Sequence, residues 1–247
     1  MTKVNVIKAE SIVFMWPKSS SFTLSIDHLT VTKGEKVFIQ GASGCGKTTL
    51  LSLLSGVNRT HSGQLSVLGS QLSSLSGGQR DQFRADHIGV VFQLFNLLPY
   101  LTAIENVVLA CKFSKQRAQK AIAKSGSLEQ EAIRLLAKLE LSNQQLLNKP
   151  VGQLSIGQQQ RIAAARALIG SPDIIIADEP TSSLDHEVSE SFLDLLFTEI
   201  EACNATLLFV SHDTRLKERF DSTWTLMHDQ DKQESRLLLT QPERSTS

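Results

Sequence analysis

The chain carries no charge excess, since 25 Lys and Arg residues balance 25 Asp and Glu over 247 residues. Without a field of one sign it offers no general attraction to a polyelectrolyte, which argues against nucleic acid as a partner. Cysteine is scarce: Cys45, Cys111 and Cys203 are scattered and lack C-x-x-C spacing. A disulfide framework and a zinc site are thereby excluded, and a reducing cytosol fits. No apolar run approaches the roughly 18 residues of a membrane span, and Met1 to Glu10 lack the apolar core of a signal peptide. No internal repeat is present. What is there is an ordinary 41% of hydrophobic residues, enough for a substantial core in one large domain or two small ones.

The most informative stretch is Gly41-Ala42-Ser43-Gly44-Cys45-Gly46-Lys47-Thr48, a full match to G-x-x-x-x-G-K-[ST] directly after the apolar run Val37-Phe38-Ile39. Glycines let backbone N–H groups close around phosphates, Lys47 reaches the β- and γ-phosphates, and the Thr48 hydroxyl ligates Mg²⁺. Thr49 and the leucines after it open a helix whose N-terminal dipole favours the same anion. The chain therefore reads as a nucleoside triphosphate binder. Cys45, at a helix N-terminus inside this loop, is expected to have a lowered thiol pKa and to be alkylated unless bound nucleotide protects it.

Val4–Phe14 and Phe22–Val31 read as a strand hairpin around the polar turn at 17–21. Ile88–Phe92, Ile174–Ala177 and Thr206–Val210 read as further short strands, the last two as buried parallel ones. From about Leu94 to Gly170 helical stretches dominate, among them Leu128–Leu139 with Ile133, Leu136 and Leu139 or Leu135 spaced for one face. The sequence thus predicts an α/β core (1–93 and 171–240) with an antiparallel β layer, a helical insert at 94–170, and a frayed tail at 241–247.

Ile174-Ile175-Ile176-Ala177-Asp178-Glu179 sets four apolar residues before two acids, so a buried strand delivers both carboxylates at its C-terminal end. Asp178 suits Mg²⁺ held through its water shell, and Glu179 suits polarising the water that attacks the γ-phosphate.

Leu154-Ser155-Ile156-Gly157-Gln158-Gln159-Gln160-Arg161-Ile162-Ala163-Ala164-Ala165-Arg166 resembles the signature of ATP-binding-cassette ATPases, with Ser155 lying 23 residues before Asp178. Gln93 in Val91-Phe92-Gln93 resembles the Q-loop, Ser183-Leu184-Asp185 the D-loop, and His212 the switch histidine. The resemblance covers almost the whole chain. It implies a P-loop NTPase core binding ATP and Mg²⁺, with Gln93 joining Thr48 near the metal and His212 holding Glu179 beside the γ-phosphate. It implies a head-to-tail dimer in which Ser155, Gly157, Gln158 and Asp185 serve the nucleotide of the other copy. Trp16 is the expected adenine-stacking aromatic, with Phe14 packing inward.

One departure is Ile156, where the family carries glycine; a β-branched residue resists positive φ, so its backbone must lie in an ordinary region. A second LSGGQ, Leu75 to Gln79, lies 102 residues from Asp178 counted from Ser76, precedes Gln93, and has no Arg-Ile-Ala-Ala-Ala-Arg helix behind it. It reads as a turn before a helix at Gln79–Ala85.

His87 to Pro99 and Leu101 to Val107 resemble the lipoprotein-releasing, macrolide-export and antimicrobial-peptide-export branch. That implies a separate permease, received by a groove at Phe95, Leu97 and Leu98, and a cytoplasmic position on the inner face of the membrane. A cell-division-like regulator and an off-membrane cassette are the alternatives, and a small P-loop kinase fits the signature and His212 poorly. Lys112, Lys115, Arg117, Lys120 and Lys124 read as a solvated helix face, or as a contact with anionic lipid.

Overall fold

The computed structural model describes residues 4–16, 22–182, 186–229 and 231–240. In chain order the elements are β1 (Asn5–Met15), β2 (Thr23–Thr32), β3 (Lys36–Gly41), α1 (Lys47–Leu54), β4 (Ser62–Val67), β5 (Ser70–Gln71), α2 (Gly77–His87), β6 (Ile88–Val91), α3 (Ala103–Lys112), α4 (Lys115–Ser125), α5 (Leu128–Lys138), α6 (Gln144–Leu147), α7 (Ile156–Leu168), β7 (Ile174–Asp178), α8 (His186–Cys203), β8 (Thr206–Val210), β9 (Ser222–Asp229) and β10 (Glu234–Thr240). They group into two compact units, Met1–Asp81 with Leu208–Ser247, and Gln82–Leu207.

In the first unit the strand order is β5-β4-β1-β2-β10-β9-β3. β1 pairs antiparallel with both β2 and β4, so the expected hairpin is present, while its turn at 17–21 lies outside the described residues. Ile7 and Ala9, then Ile12 and Phe14, are buried, a pattern whose phase slips by one residue at Ser11. Ser11 has φ 49°, and the pairing with β4 shifts register between Glu10 and Val13. That bulge keeps apolar side chains of both halves of the strand in the core. β3 runs parallel to β9, and Phe38, Phe209 and Phe220 pack with ring centroids 5.1 to 6.4 Å apart.

In the second unit β6 and β7 pair in parallel from Ile88↔Ile174 to Val91↔Ala177. All four apolar residues of β7 are buried, as a strand covered on both faces requires. Helices α3, α5 and α7 pack on one another. α5 turns Ala132, Leu135 and Leu136 inward, with Leu139 buried just beyond its end, but Ile133 is 40% exposed, so its place on the buried stripe is corrected. Ala132 holds that place because it lies three residues before Leu135 and four before Leu136, whereas Ile133 is only two from Leu135 and turns away from the stripe.

The basic run also needs correction at Arg117, which is buried rather than solvated. Its guanidinium donates to the carbonyls of Ala167 and Ile169, both at 2.8 Å, and of Arg166 at 3.2 Å. These are orphan acceptors at the end of α7, so Arg117 caps that helix. Burial lowers its pKa to about 10. Lys112, Lys115 and Lys124 are exposed, and Lys120 donates to the Ser171 carbonyl.

Candidate active site

The phosphate loop belongs to the first unit. β3 ends at Gly41 and α1 starts at Lys47, with Gly46 at the N-cap in a left-handed conformation, φ 102°. A Cβ there would lie 2.6 Å from the Phe22 ring, and one on Gly41 would lie 2.6 Å from Cys45 Sγ. No larger residue fits either place. Gly46 supplies no side-chain cap, which leaves the start of α1 suited to an anion. Around Gly44 there is open space, and Ala42, Ser43, Gly44 and Thr48 are exposed, while Thr49 is buried against the core.

Lys47 Nζ is drawn back over the loop, donating to Gly41 O at 2.9 Å and Ala42 O at 3.1 Å, with His212 Nε2 3.5 Å away. The loop and the switch-type histidine thus converge within one unit. The loop has the chemistry a triphosphate needs: glycine backbone, an ammonium, and an exposed hydroxyl at Thr48 as a hard-cation ligand.

Cys45 departs from expectation. It is 1% exposed, and burial pushes its thiol pKa up, only partly offset by the charge of Lys47. Desolvation of the thiolate outweighs the helix terminus.

Trp16 directly follows β1, 42% exposed, edge-on to Phe14 at 5.2 Å, and Phe14 packs inward. Phe22, which lies against Gly46 and stacks on His228 at 6.0 Å, was not foreseen. Its place directly before β2 was the available signal.

The second unit holds the carboxylates and the signature. Asp178 and Glu179 leave the end of β7 half-buried. Glu179 has φ 48°, and its carbonyl accepts from Ser182 N at 3.3 Å and Ser182 Oγ at 3.0 Å. A left-handed non-glycine residue persists only where its surroundings hold it.

Ser155 caps α7: its Oγ accepts from Gln158 N at 3.3 Å, and Gln158 Oε1 accepts from Ser155 N at 3.0 Å. Ile156 is the first helical residue and 55% exposed, an ordinary backbone position as expected. Along the same helix, Gln160 Nε2 donates to Pro180 O at 2.7 Å. Arg166 donates to Asn96 O at 2.6 Å and Phe95 O at 2.5 Å. Those two residues have φ of 49° and 58°, three and two positions after the exposed Gln93. Neither Gln160 nor Arg166 was singled out in the sequence, because a contact to a backbone carbonyl leaves no mark on the contacted residue's identity.

Phe95 is buried, so it does not line the foreseen groove; Phe92, Leu94 and Tyr100 are the exposed apolar residues nearby. Asp185 lies outside the described residues.

The second LSGGQ has the same local form. Ser76 Oγ accepts from Gln79 N at 3.3 Å and Gln79 Oε1 accepts from Ser76 N at 2.9 Å, so α2 begins at Gly77, two residues earlier than expected. Ser-x-x-Gln forms a capping box wherever a helix starts.

The phosphate loop, the capped signature helix and the strand ending in Asp-Glu all lie within residues 24–182, the stretch that matches the ABC transporter family model. The chain belongs to the ABC transporter family. It is an ATP-hydrolysing cassette with the α/β fold of P-loop NTPases. The lipoprotein-releasing system ATP-binding protein LolD of Syntrophotalea carbinolica is 43% identical over 198 residues, covering 80% of this chain and 83% of that protein. The ABC transporter ATP-binding protein YbbA of Escherichia coli K12 is 39% identical over 84% of this chain and 87% of its own. The macrolide export ATP-binding/permease protein MacB of Pasteurella multocida is 40% identical over 81% of this cassette but only 29% of MacB. A solved ATP-binding cassette, dimeric in a post-hydrolysis state with ADP and Pi, shares 30% identity with a TM-score of 0.75, covering 94% of this chain and 98% of its own. Among the described residues, no helix of this cassette is long and apolar enough to cross a membrane.

Proposed function

We propose that this cassette pairs head to tail with a second copy and powers a separate export-type or lipoprotein-releasing permease from the cytoplasmic face of the membrane. The observation that carries this is the exposed, capped N-terminus of α7, which offers Ser155 outward as a half-site for another copy's nucleotide. The names of the LolD and MacB relatives support the export branch, and the dimeric cassette supports the pairing.

In this reading Trp16 stacks on adenine, residues 41–49 cradle the phosphates, and Lys47 exchanges its two carbonyl partners for phosphate oxygens. Thr48, Gln93 and Asp178 would hold Mg²⁺, which when bound would supply positive charge against the phosphates. Glu179 accepts a hydrogen bond from the attacking water, and His212 fixes the γ-phosphate. Ser155, Gly157, Gln158 and Asp185 act on the nucleotide of the second copy. The helical subdomain at 94–170 carries the signature, and nucleic acid has no part.

The test is Glu179→Gln purified from native membranes. ATP should hold it as a closed dimer, with turnover lowered by a factor of at least about 100 and a permease co-purifying. A monomer that hydrolyses ATP at the native rate would sink the assignment.

A further inference from the structure

Gln160 is 1% exposed, on a stretch of α7 whose neighbours Ile162, Ala163 and Ala164 are apolar and buried. A buried amide is retained against a desolvation penalty, so its hydrogen bond matters more than its bulk. That bond, Nε2 to Pro180 O at 2.7 Å, lands on the residue directly after Glu179. Glu179 occupies a left-handed conformation that its side chain does not favour, and Ser182 holds its carbonyl from within the turn. Gln160 is a clamp on that turn supplied by a different element, α7. It also sits on the same rigid helix as Ser155, five residues on, about 7.5 Å along the axis.

We propose that Gln160 is a positioning residue, coupling engagement of Ser155 on the second copy's nucleotide to the placement of the Glu179 carboxylate in its own chain. This rests on Glu179 being the catalytic base. A shift of the helix N-terminus moves the Gln160 amide, and with it the Pro180 carbonyl and the backbone that aims Glu179. Nothing need contact both sites, because α7 spans the distance.

The test compares Gln160→Met, isosteric but without a donor, with Gln160→Glu and Glu179→Gln. Gln160→Met should lower kcat between about ten- and a hundredfold, the effect of a misaimed catalytic group, while KM for ATP stays within about twofold and Tm is nearly unchanged. In a Glu179→Gln background it should add no further loss. Gln160→Glu should be impaired at neutral pH and recover relative to the native protein as pH falls, because a protonated carboxyl regains an O–H donor to Pro180 O.

If Glu179→Gln is inactive but folded Gln160→Met keeps kcat within about twofold, the coupling is overturned and the base assignment stands. If Glu179→Gln hydrolyses normally, the base assignment falls and takes the coupling with it. Should Gln160→Met fail to fold, the pH dependence of Gln160→Glu decides, and a flat ratio to the native protein overturns the proposal.

Discussion

Lys47 Nζ and His212 Nε2 stand 3.5 Å apart, although 165 residues separate them in the chain. The close approach comes from the strands: Ser211 N, directly after β8, donates to Ile39 O in β3, which places His212 at the mouth of the phosphate loop. A phosphate entering that mouth meets both side chains.

The two should nevertheless fail differently. Lys47→Ala removes a charge-assisted hydrogen bond to phosphate, worth about 1.5–3 kcal/mol, and should weaken ATP binding roughly ten- to a hundredfold in equilibrium titration. His212→Ala should leave binding within about threefold and lower kcat at least tenfold. Equal losses of binding in both variants would show that His212 acts in the ground state.

Ser76 and Ser155 cap their helices alike, so removing either hydroxyl should cost about 1 kcal/mol of stability. Only Ser155→Ala should also weaken the ATP-dependent dimer, seen by size-exclusion chromatography with Glu179→Gln. Loss of the dimer in Ser76→Ala at unchanged Tm would reverse the assignment of the two motifs.

Cys45 should be sluggish, since burial raises its thiol pKa and screens the sulfur. Native-state alkylation, followed at the Cys45 peptide by mass spectrometry, should run at least about tenfold slower than in denaturant, with or without ATP. Fast labelling that ATP blocks would contradict the burial.

Glu131 predicts a particular acid sensitivity. Burial works to raise its pKa, but hydrogen bonds from Arg134 and Ser125 and the charges of Arg134 and Lys124 outweigh it, leaving the carboxyl below its ordinary range. A lowered folded-state pKa contributes stability that is present above the unfolded value, about 4.3, and lost as pH falls through the folded one. Glu131→Gln should therefore be less stable than the native protein at pH 7, by about 1–3 kcal/mol, and show a flatter decline of Tm below about pH 5. Parallel Tm curves would mean that Glu131 does not carry the dependence.

The sequence by itself determined the chemistry that depends on residue type at short spacing. The phosphate loop, the apolar run ending in Asp178 and Glu179, and the capping boxes at Ser76 and Ser155 are local, because backbone geometry over a few residues sets them. The strands at 88, 174 and 206 were legible for the same reason, being short apolar runs between turn residues. Tertiary structure alone decided what depends on surroundings. Cys45 is shielded because the fold buries it, Arg117 leaves its basic run to cap α7, and Ile133 yields its core place to Ala132. Gln160 and Arg166 find backbone carbonyls 20 and about 70 residues away in the chain, and carbonyls are common to every residue, so no sequence pattern marks them. The distance between legible and hidden here is the distance between local geometry and desolvation, which only the packed core supplies.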